Sequence, residues 1–311
     1  MVNEARAMAV IEFIQLLKHT GDFHGQPFIL LPWQLEIIWE IYGRVNEADG
    51  LRQYRKVYLE LPKKQGKTEL AAALLLFHDA TDPPGGEIYC AAADREQASK
   101  VYQAAREMRL QSKSLTKRLR LIDSKKEIHN RATGTFVKVL SSESKTKHGL
   151  NPSVIIFDEL HAQPNRDLWD VLTFGSSSAR LEPLLLVITT SGNDPDRKSI
   201  GWEVHEMAVK IQDGELDMPN WYVKIYGAPE ASDIFDEAVW RAANPSLGVA
   251  VKIETLREEA NEARNSEATE RLFRWLRLNQ WVSTKAIGWL PITLWDTTVG
   301  KWRRSDLQGK Y

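Results

Sequence analysis

The stretch LELPKKQGKTELAAA, Leu59 to Ala73, decides the fold, because it joins an apolar run to a strong helix former through Gly66-Lys67-Thr68. A phosphate-binding loop of the pattern G-x-x-x-x-G-K-[ST] ends in this way. It stands between a strand and a helix, so that loop N–H groups and the helix N-terminus converge on phosphate oxygens. The pattern asks for glycine where this chain has Leu61. That departure lies at the strand end of the loop and removes no phosphate-contacting group. In such a loop Lys67 reaches the β and γ phosphates and the Thr68 hydroxyl binds Mg²⁺.

Working outward, runs rich in β-branched and aliphatic residues recur between helical patterns: KVYLEL (56–61), EIYCAA (87–92), FVKVLS (136–141), SVIIFD (153–158), PLLLVITT (183–190) and WYVKIYG (221–227). Strands alternating with helices predict a parallel sheet covered on both faces. Asp94 with Gln97 makes a capping-box start for a long helix toward Arg109, and the helix from Thr68 is ended by DPPGG. From about Ser232 the strand signals stop, and IETLREEANEARN and SEATERLFRWLRLNQW read as helices. The expected fold is an α/β P-loop NTPase with a mostly parallel central sheet flanked by helices, plus a small C-terminal helical lid subdomain. Its divisions are a core over 1–228, which includes an N-terminal adenine-side segment, and a lid over 229–282.

A second motif gives the loop its partner. VIIFDEL, Val154 to Leu160, runs four apolar residues into two carboxylates, so the strand delivers Asp158 and Glu159 at its C-terminal end, where α/β sheets bind ligands. Asp158 is placed to hold the Mg²⁺ shell and Glu159 to activate water as general base. LLLVITTSGND (184–194) ends a buried strand in Thr189, Thr190, Ser191 and Gly192, either beside the γ-phosphate or in a plain polar turn. PFILLPWQ (27–34) puts Gln34 after a proline-aromatic turn, as an adenine reader or a surface side chain.

Composition bounds the rest. With 311 residues, 43% of them hydrophobic, the chain suffices for one large α/β domain and a small appendage. The formal net charge of -1 supplies no global attraction to nucleic acid, so such binding has to come from a local patch. RLQSKSLTKRLR, Arg109 to Arg120, is one, with three readings: contact with DNA phosphates, contact with a neighbouring subunit's nucleotide, or a solvated helix face. The single cysteine, Cys90, excludes an internal disulfide and fits a reducing cytoplasm. No signal-peptide layout opens the chain and no apolar run approaches the roughly 20 residues of a membrane span, so neither secretion nor membrane insertion is expected. Tryptophans 275, 281, 289, 295 and 302 are spaced for packing at the lid and domain junction rather than for base stacking.

Taken in order, LLPWQ, LPKKQGKT, SKTKHGLNPSVIIFDELHAQ, VITTSGND, AANPSLG and LNQW make the chain, from about Phe28 on, resemble the N-terminal ATPase of the large terminase subunit of tailed bacteriophages. In that family the leading loop glycine is often absent and a basic residue precedes Gly-Lys, as Lys63 and Lys64 do here. The resemblance implies catalytic Glu159 and Lys67, metal ligands Thr68 and Asp158, and ATP contacts from Gln34, Lys63, Lys64, Gln65, Gly66, Lys67, Thr68, Thr190 and Ser191. The segment Thr189 to Gly192 corresponds to the motif that couples hydrolysis to movement. ATP and Mg²⁺ are the implied cofactors. The implied partners are double-stranded DNA, a portal protein and the small terminase subunit. A homo-oligomeric ring on the portal, a monomer in isolation, and the host cell cytoplasm complete the expectation.

Two departures from the family stand out. Where some members carry an arginine finger this chain has His148, with Lys145 and Lys147 nearby. The family's C-terminal nuclease is expected to lie beyond Tyr311, which leaves 283–311 as a linker toward it. Two rival readings remain. A helicase-type DNA-dependent ATPase, suggested by DELH at 158–161, needs a second RecA-like domain. A nucleotide-gated assembly protein without turnover has no use for Glu159.

Overall fold

The computed structural model describes residues 1–142, 149–174 and 179–282. Lys145, Lys147, His148, Trp289, Trp295, Trp302 and the whole of 283–311 lie outside the described residues. The strands are β1 (Lys56–Glu60), β2 (Glu87–Ala92), β3 (Leu119–Ile122), β4 (Glu127–Asn130), β5 (Phe136–Ser141), β6 (Val154–Asp158), β7 (Leu184–Thr189) and β8 (Trp221–Ile225). They form one sheet in the order β3-β4-β5-β2-β6-β7-β1-β8. Pairing is parallel from β5 to β8 and antiparallel at β3-β4-β5. Every residue of β6 and β7 is buried. That burial explains why these two strands read as unbroken apolar runs: a strand covered on both faces has no solvent side on which to alternate.

The helices are α1 (Glu4–Gln15), α2 (Pro32–Ile38), α3 (Lys67–Thr81), α4 (Arg95–Gln111), α5 (Lys113–Arg118), α6 (Asp167–Thr173), α7 (Ile200–Gln212), α8 (Glu237–Ala243), α9 (Ile253–Ala263) and α10 (Glu267–Leu276). Side chains of α1 to α4 pack with one face of the sheet around Leu59, Leu74, Cys90, Met108 and Ile156. The opposite face packs α6 and α7 around Tyr58, Phe157, Leu168, Val187 and Val204. Asp94 caps α4 by accepting from the backbone N–H of Glu96 and Gln97, both at 2.8 Å. Helices α8 to α10 gather a third core of their own, with Trp240, Leu256, Phe273 and Leu278 at its centre. Among the described residues no helix is long and apolar enough to cross a membrane.

The main surprise lies in the basic segment 109–120. It is not one helix face but the end of α4, the whole of α5 and the first half of β3. Arg109 is buried, its Nε donating to Leu119 O at 3.1 Å and its Nη2 to Thr116 O at 2.9 Å. It therefore fastens a turn and is not presented to a partner, whereas Lys113, Lys117, Arg118 and Arg120 are exposed. The β3–β4 hairpin escaped the sequence because LRLI and EIHN are only four residues each, the first broken by Arg120 and the second carrying Glu127, His129 and Asn130. They extend the sheet at an edge that leaves one side open to water.

Candidate active site

The parallel register brings three strand ends to one place. Asp158 of β6 lies opposite Ile188 of β7, and Thr189 of β7 opposite Glu60 of β1. The strand carrying Thr189 therefore stands between the one leading into the loop and the one leading into the acidic pair. All three end at the carboxyl edge of the sheet.

Two left-handed residues shape the loop after β1: Lys64 at φ 68 and Gly66 at φ 85, the latter capping α3. A side chain at Gly66 would be strained by that φ, and a Cβ there would lie 3.8 Å from Gln34 Nε2. Gln34 is buried at the first turn of α2, where its Oε1 accepts from Leu31 N at 2.9 Å. The amide nitrogen is left on the loop side. Lys67 is 7% exposed and donates to Leu61 O at 2.8 Å, to Pro62 O at 3.0 Å and to Thr190 Oγ1. Burial above all holds its ammonium below the ordinary lysine range, against the pull of Glu159, Asp158 and Glu60. Three neutral oxygens thus hold a buried cation with carboxylates close by.

Asp158 and Glu159 occupy opposite electrostatic situations. Burial, then the charge of Glu159, push the Asp158 carboxyl up to about 7. For Glu159 burial is again the largest influence and raises the value, but the His161 contact and the charge of Lys67 outweigh it and hold the carboxyl at about 2. Glu159 has left-handed backbone, φ 52, which turns its side chain off the line of β6. Its Oε2 lies 3.0 Å from His161 Nδ1 as an ion-pair contact, and the same nitrogen is 3.1 Å from Thr189 Oγ1. Glu159 Oε2 is buried and, beside that ion-pair neighbour, makes no aligned hydrogen bond. An ionised, donor-hungry oxygen beside the loop suits a water molecule, and Asp158 with the half-buried Thr68 suits an oxygen-ligated Mg²⁺. Among the described residues no cluster of three or more His, Cys, Asp or Glu side chains could hold a metal. Any Mg²⁺ at this pair would take its remaining ligands from phosphate and water, as Mg²⁺ commonly does.

Other expected contacts are committed to structure. Gln65 donates through Nε2 to Asn244 Oδ1 at 2.8 Å and accepts at Oε1 from Ser246 N at 2.9 Å, so its side chain ties the loop to the lid and only its backbone faces the loop. Ser191 Oγ lies 3.3 Å from Trp275 O and 3.2 Å from Gln280 O. Lys63 and Lys64 are exposed, with Lys63 Nζ 5.8 Å from the Trp275 ring centre. Trp275 Nε1 donates to Ser191 O at 2.6 Å and Trp281 packs on Gly192, in keeping with tryptophans that pack rather than stack on bases. The sequence reading gave no role to His161, Asn244, Ser246 or Asn279. Their signal was present in DELH, AANPSLG and LNQW, polar residues in segments that otherwise read as helix or apolar linker.

Residues 32–208 match the family described as terminase large subunit, ATPase domain. The chain belongs to this family. A second family of the same large subunit, its endonuclease domain, matches 215–311. The terminase large subunit of Enterobacteria phage HK97 is 33% identical over 289 residues, 91% of this chain and 54% of that protein. The chain therefore spans about half the length of this terminase relative. The crystal structure of the HK97 large terminase superposes with a TM-score of 0.77 at 30% identity, covering 90% of this chain and 56% of that one. The large terminase of a thermophilic bacteriophage in complex with ADP shares the fold, with a TM-score of 0.53 at 11% identity over 81% of this chain and 54% of that one.

The endonuclease match corrects the expectation that the nuclease region begins beyond Tyr311 and that 283–311 is only a linker toward it. The match starts at residue 215, ahead of β8, the lid and the remainder of the chain. The described part of that stretch is built into the terminase ATPase body: β8 pairs with β1, and Lys63 N donates to Leu276 O at 3.0 Å. The strand WYVKIYG, placed in the core by its sequence, is β8 and pairs with β1, although the endonuclease match begins ahead of it.

Proposed function

We propose that this chain is the ATP-hydrolysing motor part of a viral DNA-packaging terminase, driving double-stranded DNA into a procapsid. Residues 1–228 serve as the motor core and 229–282 as its lid. The observation that carries the reading is the pairing of a caged Lys67 with the donor-hungry Glu159 oxygen at one sheet edge. ATP binds with its phosphates over the 63–68 loop and its base on the Gln34 side. The thermophilic-phage relative in complex with ADP supports a nucleotide in such a fold. Thr68 and Asp158 hold Mg²⁺, which when bound neutralises developing charge on the phosphates.

Lys67 exchanges its neutral acceptors for phosphate oxygens. Glu159 orients the attacking water and accepts its proton. A carboxyl held at about 2 is a weak base, and phosphate charge entering the site raises it toward a working value. The chain works in the host cytoplasm as a ring on a portal protein with the small terminase subunit, and as a monomer in isolation. Lys145, Lys147 or His148 supplies a cation in trans to a neighbour's γ-phosphate, so the rate per subunit rises with assembly. Turnover measured with and without DNA and portal tests the whole reading. A rate indifferent to both partners would reject the motor, and no hydrolysis in any condition would favour a nucleotide-gated assembly protein.

A further inference from the structure

The end of β1 carries a carboxylate that phosphate chemistry does not touch. Glu60 is fully buried and accepts from four side chains: Tyr58 Oη at 2.5 Å, His205 Nδ1 at 2.8 Å, Trp281 Nε1 at 3.4 Å and Asn279 Nδ2 at 3.2 Å. A buried carboxylate is costly unless donors surround it, and these donors come from β1, α7 and the segment after α10.

Asn279 makes this hub a link. Its Oδ1 accepts from Ser191 N at 2.8 Å, while its Nδ2 also reaches Tyr226 O at 2.7 Å. Its backbone is left-handed, with φ 54. Beyond it, Val282 N donates to Gly192 O and Asp194 N to Val282 O, each at 3.2 Å, so 279–282 lies as a parallel strap along 190–194. Trp281 fills the space above Gly192, where a Cβ would come within 2.6 Å of its ring. The same ring meets Trp202 edge-on at 5.1 Å and lies 5.0 Å from His205. Next to Ser191, Thr190 accepts from Lys67 Nζ. A buried path therefore runs from Glu60 through Asn279 and Ser191 to Thr190 and Lys67.

We propose that Glu60 is a positioning residue for hydrolysis: through Asn279 it fixes the 279–282 strap against Ser191 and sets how Thr190 meets Lys67 as nucleotide arrives and leaves. The inference rests on the nucleotide reading above and concerns a residue that meets no substrate atom. When Lys67 leaves Thr190 for a phosphate oxygen, Thr190 loses one hold while Ser191 stays tied to Asn279. The change of hold passes to the strap and to Trp281. A glutamine at position 60 has one acceptor oxygen where the carboxylate has two, so donors lose their partner and the strap loses its fixed seat.

The test uses the full chain with ADP and a non-hydrolysable ATP analogue. Tryptophan emission of the unmodified protein, compared with Trp281→Phe, isolates the Trp281 signal from that of the other tryptophans. The expected result is a nucleotide-dependent change that Trp281→Phe lacks. Glu60→Gln and Asn279→Gly bind ATP within about threefold of the unmodified protein, lose turnover by about tenfold or more, and lose the Trp281 signal. Asn279→Gly keeps a backbone that glycine adopts freely and leaves Glu60 intact, so it decides the matter if Glu60→Gln fails to fold. Retained turnover and signal in Asn279→Gly, or an emission change in Trp281→Phe equal to that of the unmodified protein, overturns the proposal while ATP binding stands. Absence of ATP binding in the unmodified chain overturns the nucleotide reading and this one with it.

Discussion

At the scale of single residues, adjacent carboxylates on one strand end are driven apart by their surroundings. Asp158 sits at about 7 and Glu159 at about 2, a division of environments that in enzymes separates the roles of paired acids. Glu159→Gln keeps the shape of the site but cannot accept a proton. Turnover should fall by about 10²- to 10⁴-fold with ATP affinity preserved, read by single-turnover kinetics and nucleotide titration. Hydrolysis within a few-fold of the unmodified rate would sink the assignment. Asp158 carries a pH consequence. A metal ligand must be deprotonated, so protons compete with Mg²⁺ below about pH 7. The Mg²⁺ concentration for half-maximal turnover should rise by up to about tenfold per unit as pH falls from 7 to 5. A flat Mg²⁺ requirement across that range counts against Asp158 as ligand.

At the scale of elements, α3 joins a functional end to a strained one. Its N-terminus presents Lys67 and Thr68, and near its C-terminus Asp79 is fully buried with both carboxylate oxygens lacking a partner. Burial, and then the charge of Asp82, push Asp79 up to about 8. Its folded value lies above the ordinary 3.8, so the protonated form is the one the fold favours. The stability this gives is fully present below about pH 4 and is lost as pH rises through 8, at no more than about 1.4 kcal/mol per unit. Asp79→Asn is neutral throughout. Its melting temperature should therefore gain on that of the unmodified protein between pH 5 and 8 and level off above; a constant difference would contradict the assignment.

Helix α7 supplies a second element-scale test. A Cβ at Gly201 would stand 2.7 Å from the His161 Cα, so α7 presses its first turn on the backbone that follows Glu159. Gly201→Ala should cost about 1 to 3 kcal/mol by overpacking and slow turnover by shifting His161. Denaturant unfolding and kcat measured on one preparation check both.

At the scale of the whole molecule, the lid is bound to the phosphate loop by polar contacts rather than by a shared apolar core. Gln65 meets Asn244 and Ser246, Lys63 N donates to Leu276 O at 3.0 Å, and Trp33 Nε1 of the neighbouring α2 donates to Ser246 Oγ at 3.0 Å. The lid keeps its own apolar cluster. Asn244→Ala leaves buried Gln65 without its acceptor, a loss of about 1 to 3 kcal/mol. Amide exchange should then quicken in 63–67 and in the lid together, with little change in β6 and β7. Faster exchange in the lid alone would mean that loop and lid are not coupled through this contact.

Much of this was legible in the chain itself. Lys67, Thr68, Asp158 and Glu159 could be read because covalent order places them at ends of apolar runs, and a parallel sheet must bring the carboxyl ends of such runs to one edge. Strands β6 and β7 were the most readable, because burial on both faces leaves them almost wholly apolar up to their carboxyl ends. What needed the tertiary structure is whatever depends on partners distant in sequence. The β3–β4 hairpin is short, with Arg120, Glu127, His129 and Asn130 interrupting its apolar residues, and it extends the sheet along the edge that β5 offers. Arg109 reads as a surface cation until the carbonyls of Leu119 and Thr116 turn toward it. Gln65 reads as a ligand contact until Asn244 and Ser246, about 180 residues away in sequence, take both ends of its amide. Local spacing determines where a strand ends and what it carries there. Only packing decides which polar atoms are already satisfied and which, like Glu159 Oε2, are left to do chemistry.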